Sequence, residues 1–215
     1  MRTVSPIEIR SYEILRDRVD TSHLPPLTRA VVERVIHSSA DLEYLDDLVV
    51  SSEDDLVEAR QALLAGAPVV ADVQMVAAGI TSRPVICRVD PASRADTASR
   101  AAATSDGLTR SAAGIVAAYQ EVGPGAIWVI GNAPTALEKL LALDARPRLI
   151  VGLPVGFVGA AESKAALRAS GLPAISNISE KGGSAVAAAA VNALLYALDD
   201  RDLDAGEPAW KGLRP

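Results

Sequence analysis

From Ile127 onward the chain alternates between short apolar runs and helix-length segments. The runs at 127–130, 149–151 and 174–176 predict strands, and 134–143, 160–169 and 183–198 predict helices. Strands separated by ten or more helical residues imply right-handed crossovers, and hence a parallel sheet with helices on both faces. Composition points the same way. Hydrophobic residues make up 49% of the chain but aromatics only 3%. The apolar mass is therefore mostly Ala, Val, Leu and Ile, which suits helices packed closely on a parallel sheet.

The first half is helix-rich. Residues 7–19, 27–39 and 53–64 read as helices, with Leu27, Val31 and Val35 sharing one face and Ala65-Gly66 closing the third. Strands are expected at 67–71 and 84–89, a helical turn at 75–79, and helices at 91–103 and 109–121. A chain of 215 residues supports one substantial core, so the expectation is one α/β domain over 1–198 and a charged tail over 199–215. The lone Cys87 can form neither an internal disulfide nor a multi-cysteine metal site, which fits a reducing, cytoplasmic setting. No basic-then-apolar leader and no long apolar run suggest a membrane partner; the alanine-rich 184–198 reads as a buried helix. A net charge of −6 argues against a nucleic-acid surface.

Each of the last three predicted strands runs into a loop that could carry a ligand. The sequence Ile150-Val-Gly-Leu-Pro-Val-Gly-Phe-Val-Gly-Ala-Ala-Glu-Ser-Lys164 has glycines at 152, 156 and 159. Gly131-Asn132-Ala133-Pro134-Thr135 and Glu180-Lys181-Gly182-Gly183-Ser184 repeat the device. Loops of this kind aim backbone N–H groups at an anion, and ligands of parallel sheets sit beyond the strands' carboxyl ends. The glycine spacing matches neither common nucleotide fingerprint. Asn132, Gly156, Gly182, Gly183 and Ser184 are therefore candidate contacts for an anionic ligand, and Lys164 and Lys181 are candidate partners for its carboxylates. A tight turn is the alternative reading of such glycines, and solvation the commoner fate of such lysines.

The candidate for chemistry lies far from these loops. Helical spacing places Glu33, Arg34 and Asp41 around His37. An imidazole with a carboxylate to set its tautomer and a cation to hold an anion has the parts of a proton shuttle. A helical histidine beside charges is also a common surface or capping residue. Thr109 is a candidate N-cap, followed by Arg110 at a helix end that disfavours cations, so Arg110 is either solvated or held for an anion. Ser11 and Thr81 are further polar candidates. Zinc-hydrolase, dithiol and serine-elbow motifs are missing from the sequence.

Taken together, these segments resemble the precorrin-8X methylmutase family of cobalamin biosynthesis. The resemblance runs in order through Arg10-Ser-Tyr12, Arg34-Val-Ile-His37, Met75-Val-Ala-Ala-Gly-Ile-Thr81, Thr109-Arg-Ser-Ala-Ala113, Ile130-Gly-Asn-Ala-Pro-Thr-Ala-Leu137, Gly152 to Lys164 and Gly182-Gly-Ser184. It implies a three-layer α/β/α fold and a homodimer with the active site near its interface. It also implies an isomerase that moves a methyl group between adjacent carbons of precorrin-8X, giving hydrogenobyrinate. By the same resemblance, His37 is the catalytic acid/base, and Ser11, Arg34, Thr81 and Arg110 contact the substrate. No cofactor and no protein-bound metal are implied. The expected partners are the tetrapyrrole, a second copy of the chain and neighbouring cobalamin-pathway enzymes. Cobalt-precorrin-8, giving cobyrinate, is the alternative substrate. A non-catalytic corrinoid-binding relative is the alternative role, favoured by Glu180 and the short link from Thr81 to Pro84.

Overall fold

The structure, a computed structural model, describes residues 5–89 and 107–196. The expected helix at 91–103, the tail at 199–215 and the last two residues of the final helix lie outside them. Among the described residues the order is α1 (Pro6–Arg18), α2 (Pro26–Ser39), α3 (Tyr44–Asp47), β1 (Leu48–Val50), α4 (Glu53–Leu64), β2 (Val69–Ala71) and α5 (Gln74–Gly79). Then follow α6 (Arg110–Val122), β3 (Ile127–Ile130), α7 (Pro134–Leu141), β4 (Leu149–Gly152), α8 (Ala160–Ala169), β5 (Ala174–Asn177) and α9 (Ser184–Tyr196).

The sheet has the order β1-β5-β4-β3-β2. β2 to β5 are parallel, as the alternation demanded, and β1 joins the edge antiparallel, with Val49 opposite Ser176. Strand side chains alternate between two cores. Val69, Ala71, Ile127, Val129, Leu149, Val151 and Ile175 face one cluster, which holds α2, α4 and α9. Val70, Trp128, Ile130, Ile150 and Ala174 face the other, which holds α6, α7 and α8. Two apolar faces on one sheet require helices on both sides, and that gives the α/β/α layering. α9 is buried almost all round, from Ser184 to Leu195, as befits an apolar helix lying between α2 and the sheet. No helix among the described residues is long and apolar enough to cross a membrane.

Two expectations change. The segment 84–89 is not a strand: only Ile86 pairs, forming a single parallel bridge with Val70. Pro84 lacks the N–H that would extend the ladder. The second change is an addition. β1 is only three residues long and follows Asp46 and Asp47 directly, so it carries no alternation to read.

Candidate active site

α1 begins at Ser5, whose hydroxyl accepts the Glu8 N–H at 3.1 Å. Helical spacing then puts Glu8, Ser11, Tyr12 and Leu15 on one face. α2 buries Leu27, Val31 and Val35 in the core and turns Arg34 and His37 toward α1. At this joint Ser11 Oγ lies 2.7 Å from His37 Nδ1. The Tyr12 ring stacks on the imidazole, with centroids 4.9 Å apart and planes 13° from parallel. Arg34 donates to Glu8 at 3.0 Å and to the Tyr12 hydroxyl at 3.3 Å, and its guanidinium covers the Tyr196 ring at 4.5 Å. Burial pushes the Tyr12 phenol above its ordinary value, against the opposing pull of the Arg34 charge. Ser11, Arg34 and His37 are thus brought together.

The carboxylates expected beside His37 are engaged elsewhere. Glu33 is buried and accepts from Arg16, Arg29 and Thr21, Arg16 Nη2 lying at 2.5 Å and Arg29 Nε at 2.8 Å. Burial raises its carboxyl, but these donors outweigh burial and hold it below the ordinary range. Asp41 accepts from Lys181 Nζ at 2.7 Å. The group placed on His37 Nδ1 is therefore a hydroxyl. A carboxylate next to two guanidiniums gains more there than from one imidazole.

The glycine loops lie at the carboxyl ends of the parallel strands, as expected, but two of them already hold an anion of the protein's own. Asp72, 1% exposed, takes the N–H groups of Gly131, Asn132 and Ala133 at 3.1, 2.9 and 2.9 Å. Burial raises its carboxyl against those three amides. Asp47 accepts from the N–H groups of Ile178 and Ser179, the Ser179 hydroxyl and the Asn177 amide. Burial also raises Asp47, but the Asn177 and Ser179 donors prevail and its carboxyl is lowered overall. The amides of the Asn132 loop are thus unavailable to a ligand, and only its exposed side chain remains.

Both lysines are likewise occupied. Lys164 is fully buried and directs its ammonium to Asn177 Oδ1 at 2.9 Å, the Ser179 carbonyl at 2.5 Å and the Lys181 carbonyl at 2.6 Å. Lys181 is paired with Asp41 and Glu43, which raise its ammonium further. Neither lysine is solvated and unpaired, as the commoner reading of such lysines had it; both are engaged within the protein.

The loop after β4 is the open one. Gly156 N–H bonds the Glu180 carbonyl at 3.1 Å, and Gly183 N–H bonds the Leu153 carbonyl at 2.9 Å, joining this loop to the next. Gly182 makes the approach feasible: with φ +155°, a β-carbon there would overlap the Leu153 and Pro154 carbonyl oxygens. Between the glycines, Phe157 and Val158 project with 97% and 88% exposure. They are not core.

Thr81, just beyond α5, and Arg110, at the first turn of α6, are exposed. Thr109 does cap α6, accepting the Ala112 N–H at 3.2 Å, and its hydroxyl meets that of Thr135 at 2.7 Å. Asn192 on α9 ties the end of α5 by donating to the Gly79 carbonyl at 2.8 Å. No contact joins Thr81 or Arg110 to the His37 cluster among the described residues. No group of three or more His, Cys, Asp or Glu side chains there could hold a metal ion.

Sequence reasoning missed Tyr12, Glu8 and the two internal carboxylates. The helical face shared by Glu8, Ser11 and Tyr12 was available to read. No local spacing links Asp72 to Gly131, 59 residues away.

Comparison with known proteins identifies the family. A sequence model of the precorrin-8X methylmutase family matches residues 6–197. Cobalt-precorrin-8 methylmutase of Salmonella typhimurium is 42% identical over 202 residues, covering 89% of this chain and 94% of that protein. Precorrin-8X methylmutase of Pseudomonas aeruginosa is 42% identical over 197 residues, covering 86% and 91%. The solved structure of the precorrin-8X methyl mutase from Thermus thermophilus superposes with a TM-score of 0.78 at 33% identity, covering 94% of this chain and 98% of that one. The chain belongs to the precorrin-8X methylmutase family, and it is an isomerase, a methylmutase of cobalamin biosynthesis.

Proposed function

We propose that the chain moves a methyl group between adjacent ring carbons of precorrin-8X to give hydrogenobyrinate, with His37 as the acid. The observation that carries this reading is the half-buried imidazole bonded to Ser11 and stacked on Tyr12. The shift breaks one carbon–carbon bond and forms another, so no electrons leave the substrate. It requires the conjugated ring to be protonated and the macrocycle to be held still. With Nδ1 at Ser11, Nε2 is the nitrogen that delivers the proton, and the Tyr12 ring fixes the imidazole plane. Arg34, Ser11, Thr81 and Arg110 position the substrate. The flat apolar faces of the macrocycle rest on Val155, Phe157 and Val158, and its acetate and propionate groups meet Gly156, Gly182, Gly183 and Ser184.

Related proteins of equal identity carry both substrate names. Cobalt-precorrin-8 is therefore a second substrate to test, its cobalt being the substrate's own. We place the enzyme in the cytoplasm as a homodimer, in which Ile7 and Met75, both exposed and apolar, suit a second copy.

The test is incubation with each substrate while the absorbance of the rearranged corrin is followed, with His37→Ala alongside. Conversion by the unmutated protein and none by the variant is expected. Tight product binding without conversion would favour a corrinoid-binding relative, and undiminished conversion by His37→Ala would remove the histidine from the mechanism. Sedimentation that gives a monomer at working concentration would end the dimer reading.

A further inference from the structure

Lysine is seldom fully buried without a carboxylate, because its ammonium is strongly hydrated. Lys164 is such a case. Its side chain is fully buried, and no carboxylate lies within ion-pair distance of it among the described residues. Three acceptors meet its three N–H groups: Asn177 Oδ1 and the carbonyls of Ser179 and Lys181. An ammonium has three donors and no acceptor, so this cage fits the charged form and no other.

The consequence follows from peptide geometry. In a trans peptide the carbonyl of one residue and the N–H of the next point in opposite directions. Turning the Ser179 and Lys181 carbonyls onto Lys164 turns the N–H groups of Glu180 and Gly182 the other way. No acceptor takes either N–H among the described residues. Asp47 secures the far side of the same loop through Ile178 and Ser179, so the loop is held between a buried cation and a carboxylate.

We propose that Lys164 is a positioning residue of the methylmutase site: its ammonium draws two carbonyls inward and so presents the Glu180 and Gly182 N–H groups to a carboxylate of the macrocycle. Lys164 itself does not touch substrate. The inference rests on the reading above that this loop grips the substrate.

The cage is sensitive to pH. Burial brings the Lys164 ammonium down to about 8; Asp47 on α3 and Glu180 on the loop pull it upward, and Arg168 on its own helix pushes it lower. A neutral amine has one donor fewer and turns a lone pair toward a carbonyl. Affinity for substrate is therefore lost as pH rises through about 8. Fold stability moves the other way. Between that value and the ordinary lysine value the unfolded chain holds more protons, so this group's contribution to stability rises with pH.

The test measures KM and kcat for precorrin-8X from pH 7 to 9 in the unmutated protein, in Lys164→Met, and in Lys164→Ala with and without propylammonium. In the unmutated protein KM should rise across that range with kcat steady. Lys164→Met should raise KM at neutral pH by roughly tenfold, the scale of lost charged hydrogen bonds, and abolish the rise. Propylammonium, which replaces the missing stem and charge, should restore the KM of Lys164→Ala. A flat KM profile in the unmutated protein overturns the proposal even if neither variant folds, and so does an unchanged KM in Lys164→Met. Failure of the unmutated protein to bind or convert precorrin-8X would instead overturn the functional reading on which the proposal rests.

Discussion

The joint between α1 and α2 and the loops at the sheet edge treat their polar groups in opposite ways. At the joint, a hydroxyl, an imidazole, a phenol and a guanidinium meet in a half-buried space, and the imidazole is bonded to the hydroxyl and stacked on the phenol ring. At the sheet edge, amide nests that could receive a ligand's anion are mostly filled by Asp72 and Asp47, and the basic side chains by carbonyls and carboxylates. A buried N–H left without an acceptor costs about 1–3 kcal/mol, so a loop that must exist in the empty protein satisfies its own donors. What stays open there is small: one exposed apolar tip and a few outward N–H groups. On the function proposed above, the joint carries the chemistry and the edge chiefly gives shape. Mutations should therefore separate the two, the first lowering kcat with the fold intact and the second lowering stability or affinity.

The largest expected effect is at the joint. His37→Ala should lower kcat about a thousandfold, within the span general acid catalysis contributes, and leave the thermal midpoint within a few degrees of the unmutated protein. An equal loss of stability would mean that His37 is a packing residue, and the contrast between the two regions would collapse.

Next comes the brace behind the joint. Glu33 holds Arg16 of α1 against α2 and is nearly inaccessible, while Arg16 and Arg29 are partly solvated. Glu33→Gln should cost about 2–3 kcal/mol at neutral pH, less than a fully buried pair would lose because the arginines can rehydrate. The native carboxyl is lowered, so its contribution is present above the ordinary carboxylate value and is lost as pH falls through the folded value. Urea midpoints of the two proteins should therefore converge in acid. A gap independent of pH would assign the loss to packing instead.

The two regions also differed in how far they could be read from sequence. Helix periodicity and the strand–helix alternation placed the parallel strands, because burial on two faces leaves a strong pattern. That Arg34 and His37 turn to the same side was legible for the same reason: both lie on one helix. β1 and Asp72 were not. Their roles depend on partners far along the chain, Ser176 for the one and Gly131 for the other. Glycine spacing marked the Gly131 loop, whose amides do turn onto an anion, but it cannot say whether that anion is a ligand or an aspartate. Lys164 shows the same limit. Its place after a glycine loop suggests a ligand contact, and only burial reveals three internal acceptors.

At the sheet edge, Asp72→Asn should destabilise the fold by about 2 kcal/mol, since the new amide offers one acceptor oxygen and sets an NH2 against a loop N–H. The loop reaches from Asp72 to Thr135, whose hydroxyl meets Thr109 beside Arg110. Substrate KM should rise modestly with kcat unchanged. A fall in kcat comparable to that of His37→Ala would bring Asp72 into the chemistry and erase the division between the regions.

The smallest effect should come from Ser11→Ala. Ser11 and His37 share one side-chain hydrogen bond, and such bonds contribute about 0.5–1.5 kcal/mol net. Loss of the hydroxyl leaves the ring still stacked on Tyr12, so orientation about the ring normal is loosened rather than lost. The expected result is roughly a twofold to tenfold lower kcat, the rate equivalent of that bond. On the proposed mechanism the serine selects which nitrogen carries the proton, so the pH dependence of kcat should shift in Ser11→Ala and return in Ser11→Thr, whose hydroxyl can take the same place. A rate loss without any change in the pH profile would mean that Ser11 acts by contact with substrate alone, and the hydroxyl–imidazole pair would then be a consequence of packing between α1 and α2.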